Sequence, residues 1–306
     1  MNISDLETLV VVTRHGSFDG AARELGVDPS SVSRTVAGLE TELGARLLQR
    51  NTRRLALTEA GAAFVERLAP ALEELAQARA AALDATGELR GTLRISVSNA
   101  FGIRRLSPLL PKFCEDYPEL QLEVLMAESP VDLIADRVDV AIRLGKLRDS
   151  GLIAVPLLAV RYRVVASPAW LRRQENPPTR PVDLQATKCL CFALFGFRDQ
   201  WQFSKAKGGE SVKVAVRPRL VGTNALLLRD AALEGMGPAL LADWMIGEDV
   251  GAGLLVDLFP DYVVSTAGAP SAAWAVYPSR NHVPAKVKVF VDFLRISLSA
   301  RGSQPE

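Results

Sequence analysis

Cysteine and histidine are scarce in this sequence, at three and two among 306 residues. So few cysteines cannot make the disulfide framework of a small secreted domain. His15 and His282 each stand alone, without metal-ligand spacing, so no metal and no cofactor is expected. An excess of either charge is also missing. Lys plus Arg number 36 and Asp plus Glu 35, a net charge of +1. That balance points to no polyanionic partner and excludes none, because local patches steer binding. No uninterrupted apolar stretch reaches the roughly 18 residues of a membrane span. No terminal apolar run has the charged start and cleavage site of a signal peptide. The expected location is the cytoplasm, with no membrane partner.

What is present is a chain that is 48% hydrophobic and long enough for about two domains, each with its own core. Residues 1 to 58 read as short helices followed by an Arg-rich hairpin. Ser4 and Glu7 form a capping-box pattern, and Leu6, Leu9, Val10 and Thr13 share one helical face. Gly16 stops that helix. Ser17 is a second N-cap candidate, with Ala21, Ala22 and Leu25 on the buried side of a short helix. Gly26 ends it in a left-handed C-cap. Asp28-Pro29 then opens a third helix, the aspartate capping its amides and the proline suiting its first position. Val32, Val36, Leu39 and Leu43 form the apolar stripe of that helix. Ser30, Ser31, Ser33 and Arg34 fall at its start, and Ser30, Ser33 and Arg34 lie off the stripe.

The stretch QRNTRRLALT reads as a two-stranded wing, and Thr58 as the cap of a following helix over about 59–87. That helix is alanine-rich, with Phe64, Leu68, Leu72, Leu75 and Leu83 near one face. It has too few large apolar residues to bury itself and is expected to pack on a copy of itself. Pro70 interrupts its hydrogen bonding.

From about residue 91 the pattern changes to strands alternating with helices, which argues a parallel sheet with crossover helices. GTLRISVSN, LQLEVLM and VDVAIRL read as strands, with helices over 104–117 and 130–137 between them. RYRVVASPAWL reads as a strand running into a helix. Further strands are expected near 189–192, 217–221, 238–242 and 272–277, with helices over about 224–235 and 285–299. Two α/β lobes fit this length better than one, crossing near 161–167 and 268–275. The tail from Arg301 is expected to be disordered.

Charge is informative only when resolved along the chain. Residues 1 to 60 hold seven arginines and eight acids, and are near neutral. Residues 43 to 58 hold Arg46, Arg50, Arg53 and Arg54 and no acid. Beside a hydroxyl-rich helix, this suggests a winged helix-turn-helix. Its third helix would enter the major groove of double-stranded DNA, where Ser30, Ser31, Ser33 and Arg34 reach bases and phosphates. Arg50, Arg53 and Arg54 would contact phosphate or the minor groove. A small helical bundle with solvated charges accounts for the same pattern.

Residues 1 to 61 resemble the DNA-binding domain of the LysR-type transcriptional regulators. The resemblance rests on Gly16-Ser17-Phe18, Ala21-Ala22, Leu25, Val32-Ser33, Leu39-Glu40, Leu43-Gly44, Leu47-Leu48, Arg50 and Leu57-Thr58-Glu59-Ala60-Gly61. One departure is Asp28, where that family often has glutamine before the proline. A carboxylate there would repel phosphate unless it faces its own helix.

The resemblance implies an α+α/β architecture. A winged helix-turn-helix (1–59, with the helix-turn-helix over about 17–44) is followed by a dimerisation linker helix (60–88). An effector-binding domain (89–300) is built of two α/β lobes similar to type 2 periplasmic binding proteins. Lobe I is expected over about 89–162 and 270–300, and lobe II over 163–269. The implied function is a sequence-specific regulator that is not an enzyme. It would be gated by a small-molecule effector with an anionic group, and would act as a homodimer that pairs into a homotetramer. On the DNA side the resemblance adds Ser17, Phe18 and Pro29. In the cleft between lobes it implies Ser98, Asn99, Ala100 and Phe101, with Gly222, Thr223 and Asn224 as the matching start of a helix. Leu144, Gly145, Cys191 and Phe192 would be walls. Strand ends and helix starts in open α/β sheets favour anionic ligands.

Two other readings compete. A solute-binding or catalytic module predicts a signal peptide or a catalytic constellation, and neither is present. A redox sensor would use Cys189 and Cys191, which two-residue spacing points to one face of a strand. Their apolar flanks, Leu190 and Phe192 to Phe195, favour core thiols.

Overall fold

The computed structural model describes residues 1–51, 54–84, 89–129, 131–145, 151–194, 196–205, 211–265, 271–278 and 283–302. The chain divides into two compact units, Met1–Glu88 and Leu89–Glu306.

In the first unit, α1 (Ile3–His15), α2 (Phe18–Leu25) and α3 (Pro29–Leu43) precede a hairpin of β1 (Leu48–Asn51) and β2 (Arg54–Leu57), then α4 (Glu59–Asp84). Asn2, not Ser4, caps α1: its side chain accepts from the Ser4 amide, and the helix starts one residue before Ser4. Leu9, Val12, Ala21, Val32, Val36, Leu39 and Leu47 form the core. The first half of α4 belongs to it as well, since Phe64, Leu68 and Leu72 pack against the three small helices. The apolar side of α4 thus has a use within its own domain. The helix runs unbroken through Pro70 to Asp84; the expected residues 85–87 lie outside the described residues.

The second unit holds two sheets. In chain order, β3 (Gly91–Val97) is followed by α5 (Asn99–Phe101), a π-turn over Gly102–Leu106, a 3-10 turn over Ser107–Leu109, α6 (Leu110–Asp116), β4 (Leu120–Met126), β5 (Val140–Gly145) and β6 (Leu152–Val160). The chain then passes to β7 (Tyr162–Ala166), α7 (Pro168–Arg172), β8 (Lys188–Phe192), β9 (Gln200–Lys205), β10 (Val212–Ala215) and β11 (Arg217–Gly222). It continues through α8 (Ala225–Leu233), β12 (Ala239–Ala242), α9 (Asp243–Gly251), β13 (Val256–Asp257) and β14 (Tyr262–Ser265), and returns with β15 (Ser271–Pro278) and α10 (Ala285–Gly302).

The five-stranded sheet has the order β4-β3-β5-β15-β6. Its first three strands are parallel, and β15 is antiparallel to both neighbours. The eight-stranded sheet runs β10-β9-β14-β7-β12-β8-β11, with β13 beside β7. Each face of either sheet is covered by apolar packing. Phe113, Phe290 and Leu294 cover one face of the smaller sheet, and Leu133 and Val138 the other.

Two expected helices differ. The segment expected as one helix over 104–117 is a chain of short turns ending in α6, because Pro108 and Pro111 have no amide hydrogen to donate. Of the expected helix over 130–137, residue 130 lies outside the described residues and 133–137 form a turn. Asp132 Oδ1 takes the amides of Ile134 and Ala135, and Arg137 adopts a left-handed φ of 51°, so the segment closes on itself. At the C-terminus, α10 continues through Arg301 to Gly302 and is not disordered there; 303–306 lie outside the described residues. No described helix is long and apolar enough to cross a membrane.

Candidate nucleic-acid interface and effector cleft

The turn between α2 and α3 is built by Gly26, whose φ of 67° is a left-handed C-cap conformation open to glycine. Its amide and that of Val27 both bond Ala22 O. Across the turn, α2 is tied to α1 by Glu24, which takes His15 Nε2 at 2.6 Å and the Arg14 guanidinium. Pro29 begins α3. Val32, Val36 and Leu39 are almost fully buried and hold the helix down. Pro29, Ser30 and Arg34 are exposed, while Ser31 and Ser33 are half-buried.

The start of α3 corrects one expectation. Asp28 is at the N-cap position, yet its side chain makes no capping bond to the amides of α3. Its carboxylate takes hydroxyl hydrogens from Ser30 at 2.8 Å and Ser31 at 3.0 Å. Those hydrogen bonds, led by that of Ser30, hold the Asp28 carboxyl below its ordinary range. Arg34 reaches back to the same place, from Nε to Ser30 O and from Nη2 to Ser30 Oγ, both at 3.3 Å. The carboxylate that would repel phosphate is therefore held by its own helix.

Ser17 caps α2, accepting from the Gly20 amide at 3.1 Å, and Phe18 is half-buried against the core. Both are in structural use, and Phe18 turns toward the core. Arg50 and Arg54 lie on the two wing strands, paired in register with Leu55 and Asn51; Arg53 lies outside the described residues. Sequence reasoning missed Glu40, whose Oε1 receives the amides of Leu47 and Leu48 and fixes the start of the wing. Its signals were its place in the Leu39-Glu40 pair and a carboxylate on the half-buried side of α3. Thr58 caps α4 as expected, accepting from the Gly61 amide at 2.9 Å.

In the second unit, Ser98 to Phe101 follow the end of β3. Phe101 is fully buried and meets Trp244 edge-to-face at 5.2 Å. Ala100 is buried in one cluster with Leu190 and with Leu228 of α8, and Phe192, Leu220 and Leu226 pack on that cluster. The structure thus brings Ala100 and Phe192 together with the helix that Asn224 caps, its Oδ1 accepting from the Leu226 amide at 2.8 Å. Asn99 Nδ2 donates to Glu128 Oε1 at 2.8 Å. Gly222 is buried at the end of β11, and Thr223 beyond it is exposed. Leu144 and Gly145 end β5, and Gly145 O accepts from the Trp274 indole at 3.0 Å.

Cys191 does not belong with them. Its side chain packs with Cys189, Trp201 and Phe203 in a separate core, away from the cluster that holds Ala100 and Phe192. Burial pushes its thiol up to about 11 and raises that of Cys189 too, so both stay protonated at neutral pH. Among the described residues, no group of three or more His, Cys, Asp or Glu is placed to hold a metal ion.

Comparison with known proteins agrees with this two-part arrangement. Residues 3–62 match the model of the bacterial regulatory helix-turn-helix protein, lysR family, and residues 86–299 that of the LysR substrate binding domain. The chain belongs to the LysR family. This LysR-type regulator is 35% identical over 293 residues to the HTH-type transcriptional regulator CrgA of Neisseria meningitidis serogroup C, covering 96% of each chain. It is 34% identical over 298 residues to the HTH-type transcriptional regulator DmlR of Escherichia coli, covering 96% of this chain and 93% of the other. The full-length structure of the Vibrio cholerae virulence activator AphB matches with a TM-score of 0.64 at 31% identity, over 96% of this chain and 98% of that one. The protein is a transcriptional regulator with a helix-turn-helix DNA-binding domain and a LysR substrate-binding domain.

Proposed function

We propose that this regulator binds double-stranded operator DNA through α3 and its wing, and that a small molecule held between the two lobes of the second unit gates that binding. The observation that carries the reading is the start of α3. Ser30 and Arg34 are exposed there, on a helix whose other face is buried through Val32, Val36 and Leu39. Such a helix presents its N-terminal residues to a major groove. Pro29, Ser31 and Ser33 complete that edge. Arg50, Arg53 and Arg54 supply phosphate contacts from the wing. Ser17 acts through the helix it caps, and Phe18 through packing.

The alanine-rich remainder of α4 pairs two copies, and a tetramer follows from pairing of dimers. Such a dimer presents two recognition helices to a pseudo-palindromic site. An effector shifts their arrangement only if it binds one cleft geometry better than another. The effector contacts are Ser98, Asn99, Ala100, Phe101, Leu144, Gly145, Phe192, Gly222, Thr223 and Asn224, with no catalytic step. The protein acts in the cytoplasm, where its DNA is. A cysteine-based redox sensor at Cys189 or Cys191 is disfavoured by their burial. The test is competition binding on the DNA upstream of the protein's own gene. Arg34→Ala should weaken this DNA more than random DNA; equal loss on both would contradict the assignment.

A further inference from the structure

Strand β11 is an edge of the eight-stranded sheet, and it begins with a concentration of positive charge. Arg217 stands in register with Lys188, the first residue of the neighbouring parallel strand β8. Like charges one strand spacing apart, roughly 4.8 Å, repel each other. A third cation follows at once. Pro218 pairs with Cys189 and Leu220 with Leu190, which leaves Arg219 as the extra residue of a β-bulge. A bulge re-aims the side chain it inserts. Lys188, Arg217 and Arg219 are all exposed, and none forms an ion pair with an acid among the described residues.

A cavity of about 860 Å³ opens beside this edge, and both Lys188 and Arg219 line it. One acid among the described residues shares the lining, Asp183, and its carboxylate is already used. It accepts from the amide and hydroxyl of Thr179 and from the amide and guanidinium of Arg180. The two cations of the cavity therefore keep their charge for something else. Opposite them are Trp170, Pro177 and Pro178, which give an apolar wall. The place is distinct from the cleft. Phe192 and Gly222 end the same two strands, about 13 Å from Lys188 along β8 at 3.3 Å per residue.

We propose that this cavity is a second ligand site and that it takes a small phosphate monoester. The ester dianion balances Lys188 and Arg219, the guanidinium bonding two oxygens through its fork and the ammonium acting as a point charge. A single carboxylate leaves one of the two cations unmatched. The organic part of the ligand lies on the wall of Trp170 and the prolines. The volume is in the range of small-molecule sites. Arg217 on the rim adds to the field that draws the anion in. The inference is independent of the reading of the cleft.

The test is calorimetric titration of the full chain at pH 8 with ribose 5-phosphate, inorganic phosphate and acetate. The samples are the wild type, Lys188→Met, Arg219→Met and the control Lys213→Met, an exposed cation on β10 at the other edge of the sheet. All three changes are on the surface, so the variants should fold. Ribose 5-phosphate should bind the wild type and Lys213→Met alike, with affinity lower by about tenfold or more in Lys188→Met and in Arg219→Met. Inorganic phosphate should bind more weakly at the same site, and any acetate binding should be unchanged in the variants. A wild type that does not bind ribose 5-phosphate would overturn the proposal. So would full affinity in both cavity variants, which would place the phosphate elsewhere, or an equal loss in Lys213→Met, which would reduce the effect to overall charge. Acetate weakened as much as ribose 5-phosphate would overturn the dianion, and inorganic phosphate bound equally tightly would overturn the monoester. Binding of the same samples to upstream DNA tests the regulator reading separately, and its failure would leave the phosphate result standing.

Discussion

The Glu40 carboxylate and the Leu47 backbone amide are joined by a 2.8 Å hydrogen bond, and the Leu48 amide shares the same oxygen at 3.0 Å. One side chain on α3 thereby fixes the start of the wing. Glu40→Ala would leave two amides without their acceptor and cost about 1–3 kcal/mol. Tm should fall, and DNA affinity should fall by more than the stability loss explains. Unchanged Tm and affinity would show the wing is set by other contacts.

Gly61 touches the same region from α4. A Cβ at that position would lie 2.0 Å from Leu47 O and 2.8 Å from its carbonyl carbon, both backbone atoms. Gly61→Ala must therefore push the helix away from the wing, at a cost of about 1–3 kcal/mol by overpacking. Denaturant unfolding of the full chain measures it; an unchanged midpoint would refute the close approach.

Asp28 orients two serines. With their hydrogens given to the carboxylate, Ser30 and Ser31 are left as acceptors, and Ser30 Oγ already accepts from Arg34 Nη2. Asp28→Ala would release those hydroxyls to donate, and should change base preference at the positions they face more than overall affinity. Selection from a randomised operator reads this directly. The pH dependence has a definite sign. The folded-state pKa is depressed, so the contribution is complete above the ordinary carboxylate range and is lost only as pH falls through the lowered value. Base preference should be constant around neutral pH; a change there would implicate another group.

The wing arginines should act without regard to sequence. Arg53→Ala is expected to weaken specific and random DNA alike and to lower the slope of log affinity against log salt by about 1. A sequence-dependent loss would place Arg53 at a base edge.

The thiols offer a chemical test. Of three cysteines, Cys114 is exposed and Cys189 and Cys191 are buried. An alkylating reagent should modify one thiol in the native protein and all three after unfolding. Rapid native modification of Cys189 or Cys191, with loss of DNA binding, would restore the redox reading.

Most of the architecture was legible because it rests on local chemistry. Gly26, Asp28-Pro29 and Gly44 punctuate α3 in plain view, and the apolar stripe of that helix has one period. LQLEVLM coincides with β4 residue for residue. The failures have physical causes. The run over 104–117 looked helical by composition, but Pro108 and Pro111 divide it. Asp132 turned an expected helix into a closed turn. The short strands β13 and β14 are set by pairing with the distant β7 and β9, which no local pattern reports. At the sites, exposure could be read and hydrogen-bond direction could not. The Asp28 carboxylate chose hydroxyls over the amides of α3, and Cys191 faced the core.

The most direct test is a footprint of the purified protein on the DNA upstream of its own gene, taken across a salt series. The account predicts a protected, sequence-specific stretch whose affinity falls steeply with salt and whose pattern shifts when the effector is present. Absence of any binding at low salt would contradict it.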